Sequence, residues 1–229
     1  MSCCPPGSIG YLAATNETKG LIETVEGVHF YKTGGSSDTA ILCIPDVWGW
    51  NSGRTRQLAD HFSEQLSCVG IVPALQPALE GGTDGDGLPP DFSMATRGSD
   101  FAAWCSQNTY NDVIKPRLQA LVKHLSSIGV KKIKIIGLCW GFWASTKFAG
   151  DKTIDLHGIS LVCAAGPHPS LTLEDKFFNG NSIEVATLAS TIPTFVLPTS
   201  NDPDTYREGG EILTALKKGH VDSCFVDYP

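Results

Sequence analysis

Seven short apolar runs recur along the chain: "VHFYK" (28–32), "AILCI" (40–44), "VGIVP" (69–73), "KIKII" (132–136), "ISLVC" (159–163), "TFVLP" (194–198) and "CFVDY" (224–228). The middle ones are almost wholly apolar, the pattern of strands covered on both faces of a parallel sheet. Between them, Leu58, Phe62 and Leu66 repeat every four residues and mark one face of a helix opening near Ser52. Leu118, Leu121, Val122, Leu125 and Ile128 mark a second helix, closed by Gly129. A third helix begins in "GLCWGFWAST" and a fourth covers 206–218. Strands alternating with helices predict a three-layer α/β domain with a mostly parallel central sheet. The runs 28–32 and 40–44, joined by "TGGSSDT", are expected to pair as a hairpin at its edge. One stretch breaks the alternation. Residues 76–93, "QPALEGGTDGDGLPPDFS", have no periodicity and predict a long loop, which in a compact domain is commonly a lid or binding segment. Its aspartates lack the spacing of a calcium loop.

The 229 residues suffice for one domain with a full core, so 1–229 is read as a single unit. A net charge of -7 with no basic arm argues against nucleic-acid binding. No apolar run reaches the roughly 18 residues of a membrane span. The opening "MSCCPPGSIG" lacks the basic and apolar regions of a secretory signal, which makes the cytoplasm the expected location. The eight cysteines are then read as free thiols, with Cys43, Cys163 and Cys224 as buried small hydrophobes. Cys3 and Cys4 have no second ligand pair at metal-binding spacing, so neither metal nor cofactor is expected.

Residues 137–141, "GLCWG", follow the strand "KIKII" and lead into a helix, the layout of a nucleophile elbow. The glycines answer a steric need: the nucleophile sits on a strained turn whose flanking side chains would strike neighbouring elements. The helix N-terminus beneath the sulfur favours a thiolate and an oxyanion. An elbow takes its acid from the end of a later strand, and "TSNDPDTY" after "IPTFVLP" offers Asp202, with Asp204 second. The competing use for Asp202 is to cap a helix starting near Thr205. The other oxyanion donor belongs to the loop after an early strand, here "CIPDVWGWNSGRTRQLAD". Val47 N–H would pair with Trp140 N–H, Asp46 would lie beside the thiol, and Trp48 and Trp50 would wall a pocket or pack the core.

Together these segments resemble the dienelactone hydrolase family of the α/β-hydrolase fold, in its eukaryotic, fungal-type branch. The likeness runs from "MSCCPPGS" through "PDVWGWNSGRTRQLAD", "GLCWG" and "PHPS" to "SNDPDT". It implies Cys139 as nucleophile, Asp202 as triad acid, and Val47 and Trp140 as oxyanion donors. Asp46 stands where many members carry a glutamate that holds the resting thiol, and Arg97 is the counterpart of the arginines that hold a substrate carboxylate. Phe142 replaces a second glycine after the elbow. The family's histidine follows the last strand in an "HGF" loop, so the chain is expected to stop just before it. His168, on the catalytic edge, is the candidate substitute base. The implied function is cofactor-free cleavage of a small lactone or ester through a Cys139 thioester. The alternative is a catalytically silent relative that binds a small carboxylate or a partner protein.

Overall fold

A computed structural model describes residues 17–82 and 87–227. The strands are β1 (Leu21–Val25), β2 (Val28–Thr33), β3 (Thr39–Ile44), β4 (Val69–Pro73), β5 (Lys132–Gly137), β6 (Ser160–Pro167), β7 (Thr194–Leu197) and β8 (Cys224–Phe225). They form one sheet in the order β1-β2-β4-β3-β5-β6-β7-β8. β1 and β2 run antiparallel to their neighbours, and β3 to β8 are parallel. The chain winds from β3 outward to β4 and then back past β3 to β5. The crevice at the carboxyl end of β3 and β5 is therefore where such a sheet binds ligands.

The expected hairpin between 28–32 and 40–44 does not form. β2 pairs instead with β1, Val25 opposite Val28, through a Glu26–Gly27 turn with φ of 47° and 81°. Two residues at positive φ make the tight turn whose twist suits a hairpin, a closure that the seven-residue linker "TGGSSDT" cannot match. β3, buried along five of its six residues, lies inside the sheet between β4 and β5.

The helices are α1 (Thr55–Leu66), α2 (Met94–Gln107), α3 (Lys115–Ser127), α4 (Trp140–Gly150), α5 (Leu173–Phe177), α6 (Ser182–Ala189) and α7 (Glu211–Gly219). α3 buries Leu118, Leu121, Val122 and Leu125 and ends before Gly129 at φ 96°, as its periodicity predicts. α1 does not bury the face that its leucines mark. Leu58 and Leu66 are exposed, and the helix turns Thr55, Ala59, Asp60 and Ser63 inward. The reason is proximity: a Cβ at Gly70 of β4 would stand 2.8 Å from Ala59 O, so only small side chains fit between helix and strand. The fourth predicted helix is shorter than expected, a 3₁₀ turn over Asp204–Tyr206 followed by α7, with His220 at its C-cap.

Alternation along the strands builds two cores. Ala40, Leu42 and Ile44 of β3 join the large cluster with α3, α4, α6 and α7, while Ile41 and Cys43 face the smaller one under α1. Two of the three strand cysteines depart from expectation: Cys43 is buried, Cys163 is half-buried and Cys224 is exposed, because β8 is a two-residue edge. Cys3 and Cys4 lie outside the described residues, as do 83–86 of the long loop. No helix among the described residues is long and apolar enough to cross a membrane.

Candidate active site

β5 ends at Gly137 and α4 begins at Trp140, with Cys139 between them at φ 53° and ψ -113°. An L-residue rarely adopts that conformation, and holding it costs about 1–3 kcal/mol. Hydrogen bonds to two flanking strands offset the cost: Leu138 N–H donates to Ile44 O at 3.0 Å, and Cys139 N–H to Pro167 O at 3.1 Å. Both glycines are required. A Cβ at Gly137 would lie 2.6 Å from Phe142 Cα, and one at Gly141 would lie 2.7 Å from Pro45 O. The cysteine thus stands at a helix N-terminus and at the crevice edge of the sheet, as the G-x-C-x-G spacing implies. The Phe142 ring is wholly buried against Gly166, where a Cβ would lie 2.7 Å from Cγ.

The loop after β3 carries Val47, which is buried, and Leu88 N–H donates to its carbonyl at 2.8 Å. Among the described residues neither Val47 N–H nor Trp140 N–H donates to a backbone carbonyl. Asp46 Oδ1 accepts from Trp48 N–H at 2.9 Å and from Ser52 Oγ at 3.4 Å, bonds that brace the loop. Trp48 packs half-buried on the main core. Trp50 belongs to the cluster under α1, with the Arg56 guanidinium 4.3 Å above its ring. Arg97 sits at a kink in α2, paired with Asp100 at 2.8 Å and stacked on Phe92 at 4.9 Å.

Asp202 follows β7 and is 8% exposed. Its Oδ2 accepts from Thr199 N–H at 2.8 Å and Thr199 Oγ1 at 3.1 Å, so the carboxylate closes its own turn and does not cap the 204–206 turn, whose N-cap is Pro203. Oδ1 faces His168 Nδ1 at 2.8 Å. His168 sits at φ 49°, directly after the residue whose carbonyl receives Cys139 N–H, and its own N–H donates to Leu197 O at 3.0 Å. Acid and imidazole therefore stand together on the edge that carries the elbow.

Two further side chains, to which the sequence assigned no role, meet these residues. Ser170 Oγ lies 3.4 Å from Cys139 Sγ. Arg207 donates to Asp202 O at 2.6 Å and Thr199 O at 2.5 Å, and pairs with Asp227 at 2.7 Å, clamping the acid turn. Ser170 meets Cys139 across 31 positions, whereas Arg207 reaches back only five and eight positions to Asp202 and Thr199. Among the described residues no group of three His, Cys, Asp or Glu is placed to hold a metal ion.

A mostly parallel eight-stranded sheet with helices on both faces and an elbow cysteine at its carboxyl edge defines the α/β-hydrolase fold. Solved structures agree. A cold-adapted esterase from an Arctic intertidal metagenomic library superposes with a TM-score of 0.65 at 14% identity, covering 92% of this chain and 83% of that one. An esterase of Pyrococcus furiosus does so with a TM-score of 0.54 at 15% identity, covering 92% and 81%. Such identities speak for the fold alone. The sequence is more specific: residues 25–187 match the Dienelactone hydrolase family, and the chain belongs to it. A carboxymethylenebutenolidase homolog of Xenopus tropicalis is 27% identical over 126 residues, 54% of this chain and 46% of that protein. The match thus spans about half the length of that relative.

Proposed function

We propose that the chain hydrolyses a small carboxylic ester or lactone through a thioester on Cys139. The observation that carries this reading is the backbone of Cys139, held at φ 53° at the head of α4 and between strands β3 and β6 by their carbonyls. A buried structural cysteine has no use for that strain. The family membership supports the same class of reaction.

In this reading the thiol proton passes to the imidazole of His168, which Asp202 orients through Nδ1. The sulfur attacks the ester carbonyl, and the Val47 and Trp140 N–H groups receive the oxyanion. The imidazolium returns its proton to the departing alkoxide, leaving an acyl group on sulfur. A water, deprotonated by His168, then attacks the thioester and expels the thiolate. No step calls for a metal or organic cofactor.

A short-chain chromogenic ester tests this. Cys139→Ala should abolish turnover, since no other nucleophile occupies the elbow. His168→Ala should lower steady turnover by roughly two to four orders of magnitude, the usual worth of general-base help. It should leave at most one burst of product per enzyme, with the acyl mass on the Cys139 peptide. Undiminished turnover in Cys139→Ala defeats the thioester route. Undiminished turnover in His168→Ala removes His168 as the base.

A further inference from the structure

We propose that Ser170 is a further catalytic residue of this site, its hydroxyl accepting the Cys139 S–H at rest and turning to donate to the sulfur once the proton has left. The proposal rests on Cys139 as the reacting group. Ser170 Oγ is 3.4 Å from Cys139 Sγ, within reach for a hydrogen bond to sulfur, and both residues are buried, at 5% and 7% exposure. A hydroxyl both accepts and donates, so one side chain serves the thiol and the thiolate without moving its heavy atoms. The second bond is the stronger because its acceptor is charged.

The contact is also built. The segment carrying Ser170 is held from each side of the site. Pro167 O accepts Cys139 N–H, His168 N–H donates to Leu197 O, and Thr172 N–H donates to Tyr206 Oη at 3.2 Å. Ser170 O accepts Leu173 N–H at 3.0 Å and so starts α5. In α5 the buried Glu174 accepts from Trp143 Nε1 and Lys147 Nζ, both at 2.7 Å, and these belong to α4, whose N-cap is Cys139. Serine and cysteine are thus fixed to one rigid frame.

The consequence reaches both halves of the reaction. During acylation the hydroxyl stabilises the attacking thiolate, and during hydrolysis of the thioester it stabilises the same thiolate as leaving group. The ionisable groups carried on the surrounding loops include Asp46 and Arg54 after β3, His168 after β6, and Asp202, Asp204 and Arg207 after β7. Ser170 is neutral, so removing it leaves those charges in place and isolates the hydrogen bond.

Peptide-resolved alkylation of Cys139 by iodoacetamide across pH is the experiment, because it reads the thiol without requiring hydrolysis. Ser170→Ala should slow alkylation at neutral pH about tenfold, equivalent to a rise of about one unit in the thiol's midpoint. Ser170→Thr, which keeps the hydroxyl, should restore the wild-type profile. An unchanged or faster profile in folded Ser170→Ala overturns the proposal, as does failure of Ser170→Thr to restore it. If Ser170→Ala does not fold, the S–H stretching band of the wild-type protein decides, assigned by its loss in Cys139→Ala. A band shifted down from that of an unbonded thiol supports the bond, and an unshifted band overturns it. The two readings fail separately. Full hydrolysis by Cys139→Ala with a Ser170-dependent thiol profile ends the thioester route alone. Cys139-dependent hydrolysis with a Ser170-independent profile ends this proposal alone.

Discussion

Gly141→Ala tests the elbow at its tightest point. The new Cβ would lie 2.7 Å from Pro45 O and nearer still to Ile44 O, at least 0.7 Å short of the 3.4 Å at which ordinary contact begins. Every obstructing atom belongs to the backbone, at the end of β3 and the start of the loop that carries Val47, so no side chain can step aside. α4 and that loop must separate, and the 3.0 Å bond from Leu138 N–H to Ile44 O stretches with them. Overpacking of this kind costs about 1–3 kcal/mol and the hydrogen bond about 1 more, so the loss should be about 2–4 kcal/mol. For a chain of this size that lowers the melting temperature by roughly 5–15 °C. The separation also pulls the Val47 and Trp140 N–H groups apart, and a misplacement near 1 Å costs about a hundredfold in rate. Calorimetry and kcat/KM on a short-chain ester read the two effects. Gly98→Ala is the control of opposite sign, since nothing lies within 4 Å of its Cβ and alanine favours the helix there. Wild-type melting and activity in Gly141→Ala would refute the steric account of the glycine.

Three further outcomes are expected. Brief alkylation followed by mass spectrometry should modify Cys139 well ahead of Cys43 and Cys105, whose thiols burial pushes up to about 12, whereas Cys224 should label by exposure alone. Asp202→Asn should lower kcat by about two to four orders of magnitude with little change in KM, because the amide orients the imidazole poorly; near-wild-type turnover would remove Asp202 from the mechanism. Stability should hold below the ordinary thiol value of 9.0 and fall as pH rises toward 12: burial raises the Cys43 and Cys105 values in the folded state, so the unfolded chain releases those protons first. Urea midpoints that stay level from pH 8 to about 11 would contradict that sign.

Much of the architecture was legible in the order of residues. β3 to β7 and α3 follow apolar runs and stop signals that act within a few residues, and α1 forms where its leucines place it although it buries another face. The elbow was legible for the same reason: the strain at Cys139 and the crowding at Gly137 and Gly141 leave glycine at two fixed offsets from that cysteine. Asp202 was legible as a residue shortly after a late strand, and the structure sets its carboxylate 2.8 Å from His168 Nδ1. What escaped was settled between distant segments. The partner of β2 was decided by the Glu26–Gly27 turn and by the place of β3 inside the sheet. The buried face of α1 was decided by how closely Ala59 approaches Gly70, against the pull of its leucines. The meeting of His168 with Asp202 and the approach of Ser170 to Cys139 join residues 34 and 31 positions apart. Local sequence sets backbone preference over a turn or a strand. Only packing of the whole sheet brings the segments that follow β5, β6 and β7 to one edge, where His168 meets Asp202 and Ser170 meets Cys139.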